Sequence, residues 1–80
     1  MDQDTIIRSL EASHNQIECA EVYAIALRWI PLDAGPDVWC AINAPLLRRY
    51  KPSGFARVKE MAWKIVQSLP PPLGADPKQP

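Results

Sequence analysis

The chain has 80 residues, 48% of them hydrophobic and 22% charged, with nine Lys+Arg set against nine Asp+Glu. That is room for one small domain. It excludes the uniformly basic make-up of a histone-like protein and the acidic, apolar-poor make-up of a disordered tail. A chain of this length buries only about 60% of its unfolded surface, so its stability margin is a few kcal/mol.

The acidic start Met1-Asp2-Gln3-Asp4 lacks the positive n-region of a secretory signal. The longest apolar run, Val22 to Leu27, is six residues, against the ~20 of a membrane span. The expectation is a cytoplasmic protein without a membrane partner, in which Cys19 and Cys40 are free thiols among apolar neighbours. Charge is segregated along the chain. Seven acids (Asp2, Asp4, Glu11, Glu18, Glu21, Asp33, Asp37) face Arg8 and Arg28 in residues 1–37, a net of −5. Seven bases (Arg48, Arg49, Lys51, Arg57, Lys59, Lys64, Lys78) face Glu60 and Asp76 in residues 38–80, a net of +5. Such asymmetry marks an interaction surface, or else two halves that neutralise each other on packing.

A first helix is expected from Asp4, as N-cap, to about Ser13, with Ile6, Ile7 and Leu10 on one face. Asn15 with Glu18 three residues on follows capping-box logic, and opens a second helix from Gln16 to about Trp29. Its stripe is read as Ile17, Ala20, Ala24 and Leu27, with Val22, Tyr23 and Ile25 beside it. Alternation of Tyr23, Ile25, Leu27 and Trp29 leaves a strand over residues 22–30 as the competing reading, which the alanines disfavour. Pro31 to Gly35 is a connection, and Asp33 or Gly35 caps a third helix with Pro36 at its first position. Val38, Trp39 and Ile42 give that helix an apolar face, and Pro45, two residues after Asn43, is expected to break it rather than merely kink it. Lys51-Pro52-Ser53-Gly54 reads as a turn with Ser53 as the cap of a last helix, about Gly54 to Leu69. Its stripe is continuous through Phe55, Val58, Ala62, Ile65 and Leu69, with Glu60 and Lys64 spaced for a surface pair. Pro70-Pro71-Pro72 ends it, leaving residues 70–80 as a flexible, PPII-like tail. The fold class expected is all-α: a single domain over residues 1–69, an irregular bundle of three to four short helices.

Little in the chain supports catalysis, metal or cofactor chemistry. His14 is the sole histidine, and its neighbour Ser13 projects about 100° away on a helix, so a nucleophile–base pair has no natural geometry. Cys19 and Cys40 stand too far apart for a zinc cage, and Gly35, Gly54 and Gly74 are isolated rather than gathered in a phosphate loop. Glu11, Glu18 and Glu21 read as a solvated face.

The sharpest feature is basic. Arg48, Arg49, Lys51, Arg57 and Lys59 occur without an intervening acid, interleaved with Tyr50 and Phe55, around a turn between two helices. Trp63 falls outside the apolar stripe on the side of Lys59 and Gln67, and with Lys64 completes an aromatic and cationic face of hot-spot composition. These seven residues, Arg48, Arg49, Lys51, Arg57, Lys59, Trp63 and Lys64, are the candidate partner-binding set. The expected function is a non-enzymatic protein–protein interaction module docking on an acidic protein surface, in the manner of a small phage or mobile-element inhibitor of a host complex. The rival is a nucleic-acid-binding regulator using the helix-turn-helix-like segment 48–64. Its weaknesses are net neutrality, the absence of the standard turn pattern, and a Phe55 committed to the core stripe. A third expectation is a homodimer whose second copy completes a small core.

Overall fold

The computed structural model describes residues 2–69, which form four helices: α1 (Gln3–Ala12), α2 (Gln16–Trp29), α3 (Pro36–Arg49) and α4 (Pro52–Ser68). No strand occurs among the described residues. The all-α expectation holds, and the strand reading of residues 22–30 does not. α2 continues to Trp29, and the Ile30 amide still donates to the Ala26 carbonyl at 2.9 Å. The expected proline-rich tail, residues 70–80, lies outside the described residues.

Helix starts differ from expectation in informative ways. α1 is capped by Asp2 rather than Asp4. The Asp2 carboxylate accepts the Thr5 amide at 2.8 Å, which leaves Asp4 in the first turn, where a negative charge suits the helix dipole. Asn15 caps α2 as expected, accepting the Glu18 amide at 2.9 Å. Glu18 returns the bond one residue early, accepting the His14 amide at 2.8 Å instead of that of the cap itself. Gly35, and not Asp33, caps α3, with φ at 121°, a backbone region that L side chains rarely adopt.

Two proline expectations are corrected. α3 is not broken at Pro45: it runs unbroken from Pro36 to Arg49 with Pro45 inside it. The Pro45 ring is buried beside Ile42 and Leu46, so core packing offsets the hydrogen bond that the Ala41 carbonyl loses. α4 begins at Pro52 with Lys51 as its cap, which puts Ser53 in the first turn instead of at the cap. Proline at the first helical position sets φ and sacrifices an amide that has no intrahelical partner in any case. Only Tyr50 and Lys51 therefore separate α3 from α4. Gly54 allows this tight corner. A Cβ there would lie 3.0 Å from Tyr50 Cβ and 3.2 Å from the Gln16 amide nitrogen.

The core joins Ile6 and Leu10 of α1, Cys19, Ala20, Tyr23, Ala24 and Ala26 of α2, Ile42 and Leu46 of α3, and Val58 and Ala62 of α4. α2 is central, packing most extensively on α4 and also on α1. Its buried arc is centred on Cys19, Tyr23 and Ala26, rotated from the expected stripe, so Ile17 is 64% exposed. The expected stripe of α4 is confirmed at Val58 and Ala62, which are wholly buried, whereas Leu69 at its end is exposed. Both cysteines are free thiols, but only Cys19 is buried. Cys40 is exposed because α3 turns Ile42, Pro45 and Leu46 inward, and residue 40 lies on the opposite side.

Candidate functional site

The bundle has two chemically different ends. Tyr23 meets Asn43, while Cys19 meets Arg49, so α3 runs against the direction of α2. The Gln16–Gly54 approach and the Tyr23–Phe55 ring contact advance together, so α4 runs in the same direction as α2. The corner between α3 and α4 thus sits at the start of α2, and the start of α3 sits at the end of α2.

The three cations at the corner are exposed, and two of them, Arg48 and Arg49, reach across to α1. Arg49 donates from one guanidinium nitrogen to the carbonyls of Ser13, at 2.6 Å, and Leu10, at 3.3 Å. The same nitrogen lies 3.7 Å from the Cys19 sulfur, and the guanidinium carbon is 5.3 Å from the centre of the Tyr50 ring. It therefore serves as a C-terminal cap for α1, giving the Ser13 carbonyl its donor and adding a second one to the Leu10 carbonyl, which also accepts the Ser13 amide at 3.2 Å. Arg48 pairs with Glu11 of α1 at 3.4 Å on the surface. Lys51 caps α4 through its backbone and is exposed. The basic residues of the expected helix-turn-helix-like segment are thus divided. Arg48 and Arg49 engage α1, and Arg57 and Lys64 lie on the outer face of α4, opposite its buried stripe.

Lys59 and Trp63, one turn apart on α4, face the other end and line a surface cleft of about 220 Å³ with Tyr23, Leu27, Leu32, Trp39 and Asn43. α2, α3, α4 and the α2–α3 connection all contribute to it. The aromatic groups are braced. Tyr23 meets Trp39 with ring centres 6.1 Å apart and meets Phe55 edge-on at 6.4 Å. The Trp39 indole donates to the Pro31 carbonyl at 3.0 Å, which pins the connection carrying Leu32. The Tyr23 hydroxyl donates to the Asn43 side-chain carbonyl at 2.8 Å. Burial raises the Tyr23 phenol above its ordinary range. Lys59 leans over the Phe55 ring, its ammonium 5.3 Å from the centroid.

Of the seven residues singled out in sequence, the structure brings Lys59 and Trp63 together in this cleft and places the other five elsewhere. Sequence reasoning missed Tyr23, Leu27, Leu32, Trp39 and Asn43 as site residues. One signal was present: Trp39 and Asn43 are four apart, so they share a helix face, and an Asn beside a Trp is unusual lining for a closed core. Elsewhere, the Ser13 hydroxyl donates to the Ser9 carbonyl, and the exposed His14 ring contacts Glu18 at 3.3 Å. Among the described residues, no three His, Cys, Asp or Glu side chains gather into a group able to hold a metal ion. None of the described helices is long and apolar enough to cross a membrane. No protein-family model, no curated protein and no solved structure matches the chain. The class defined by fold and site is a small four-helix domain with a braced aromatic cleft at one end.

Proposed function

We propose that the protein is a non-enzymatic interaction module that docks on an acidic protein surface through the Trp63–Lys59 cleft. The observation that carries this reading is the convergence of Tyr23, Trp39 and Trp63 around one partly open cleft rimmed by Lys59. Trp and Tyr in a fixed setting are the residue types that anchor protein interfaces. A rigid aromatic floor also loses little side-chain entropy on binding. Trp63 remains 39% exposed and so still has apolar surface to bury on a partner. A domain that offers a docking face and little else acts by occupying its partner's surface. That is the action of an inhibitor of the kind a phage or mobile element directs at a host complex.

The test is co-purification of the tagged full-length chain from its native cells, with and without nuclease. Trp63→Ala and the pair Arg57→Glu/Lys64→Glu serve as variants. The expected result is a protein retained through nuclease treatment and lost with Trp63→Ala, whose weakening corresponds to ~2 kcal/mol or more. Loss on nuclease treatment would overturn the reading in favour of nucleic acid. So would tight binding of random duplex DNA that ignores Trp63→Ala but shows a reduced salt slope in the Arg57/Lys64 variant.

A further inference from the structure

The polar groups of the cleft are mostly donors. Asn43 presents its side-chain carbonyl to the Tyr23 hydroxyl at 2.8 Å, and the two hydrogens of its amide nitrogen are the donors it still offers. Neither that nitrogen nor the Trp63 indole meets an acceptor among the described residues. Lys59 adds an ammonium, and no lining residue is a carboxylate. The Trp39 indole, by contrast, is already engaged with the Pro31 carbonyl. Apolar walls with two neutral donors and one cation ask for a ligand with an apolar body and a negatively charged acceptor.

Size narrows the occupant. At about 220 Å³ the cleft is smaller than the 300–1,000 Å³ usual for small-molecule sites, and it suits a single anchoring side chain. We infer that the cleft is a receptor for one Phe- or Leu-sized side chain lying beside an acidic residue in an exposed segment of the partner. The ring or branched chain packs between Trp63, Tyr23 and Leu27, while the neighbouring carboxylate is held by Lys59 and the Asn43 amide. This deepens, and rests on, the proposal that the cleft is the docking face. Charge complementarity decides between occupants, because an uncharged apolar segment would leave the Lys59 ammonium and both neutral donors without acceptors as the cleft loses water.

The test uses the full chain labelled with nitrogen-15 and the capped dipeptide N-acetyl-Asp-Phe-amide. Its isosteric neutral partner N-acetyl-Asn-Phe-amide and the chain-end mimic N-acetyl-phenylalanine are the comparators. The readouts are the indole signal of Trp63 and the side-chain amide signal of Asn43, with the side-chain amide of Gln16, at the opposite end of α2, as reference. The Asp peptide is expected to move both cleft signals with an affinity about ten-fold above that of the Asn peptide, as a charge-assisted hydrogen bond implies. Lys59→Met should erase that preference, bringing the affinities of the Asp and Asn peptides together. Equal affinity of the two peptides, a preference that survives Lys59→Met, shifts confined to sites outside the cleft, or no shift at all would each overturn the inference. Binding by N-acetyl-phenylalanine alone would overturn it in favour of a chain-terminal carboxylate. The two proposals fail separately. A partner captured through Trp63 without any Asp preference refutes only this inference, while an Asp preference without a Trp63-dependent partner refutes only the docking function.

Discussion

Arg49 shows how one side chain can change role between sequence and fold. In the sequence it is one of five bases around a turn; in the structure its guanidinium closes the end of α1 on the Leu10 and Ser13 carbonyls. Arg49→Met keeps much of the apolar stem but leaves the Ser13 carbonyl without its donor, while the Leu10 carbonyl keeps the Ser13 amide at 3.2 Å. The expected loss is about 1–3 kcal/mol in denaturant unfolding, a large share of what so small a domain holds in reserve. Arg49→Lys should recover only part of it, because an ammonium cannot reproduce the planar fork. Reversing Arg57 or Lys64, both exposed on the outside of α4, should change stability little. The pH response is also set by single residues. The Thr5 backbone amide holds the Asp2 carboxyl below its ordinary range, and the His14 backbone amide does the same for Glu18. A lowered folded pKa means that the contribution is complete above the ordinary carboxylate pKa and is lost as pH falls through the depressed folded value. Acid titration followed by amide exchange should therefore show the Thr5 and His14 amides losing protection first, with the starts of α1 and α2 fraying before the body of the bundle.

Among the elements, α3 is the one in which local rules and tertiary packing disagree most. An interior proline costs a helix about 3 kcal/mol relative to alanine, yet α3 continues through Pro45 because the ring is buried beside Ile42 and Leu46. Replacing Pro45 by Ala restores an amide to the Ala41 carbonyl and removes about two methylenes from the core, at ~0.8 kcal/mol each. The helix gain is the larger figure, so Pro45→Ala should raise the melting temperature, corresponding to a net stabilisation of about 1 kcal/mol. A drop of several degrees would mean that ring packing outweighs the lost hydrogen bond. α4 was the most legible element, since its apolar residues recur at three and four with few apolar side chains elsewhere on the wheel. α2 was legible as a helix but not in its orientation. Ile17, Val22, Ile25, Leu27 and Trp29 spread around its circumference, so periodicity alone could not show that Cys19, Tyr23 and Ala26 face inward.

For the whole molecule, the opposed charges of the two halves meet within one copy to the extent that the structure displays them. Arg48 reaches Glu11, and Arg49 reaches the end of the acidic α1. The Arg48–Glu11 pair is more than half exposed on both sides, so it orients the helices more than it stabilises them. With Arg48 and Arg49 engaged on α1 of the same copy, head-to-tail pairing of copies loses part of its attraction. Sedimentation at about 50 mM and about 500 mM salt should both show a monomer. A dimer at low salt that dissociates at high salt would show instead that the charges act between copies.

The amino-acid sequence by itself determined the all-α class, a bundle of three to four helices with approximate bounds for α1, α2 and α4, and the Asn15 cap, because each depends on residues within a few positions of one another. It also placed Lys59 beside Trp63, one turn apart on a strongly periodic helix. Only the tertiary structure decided which end of the bundle carries the cleft, since Tyr23, Trp39 and Trp63 converge from three helices with no shared local pattern. It also decided that the Arg49 guanidinium reaches across to the end of α1 and that Pro45 is tolerated. Both outcomes depend on what the rest of the fold offers — the carbonyls at the end of α1 in one case, a buried position for the ring in the other — and no window along the chain contains that information.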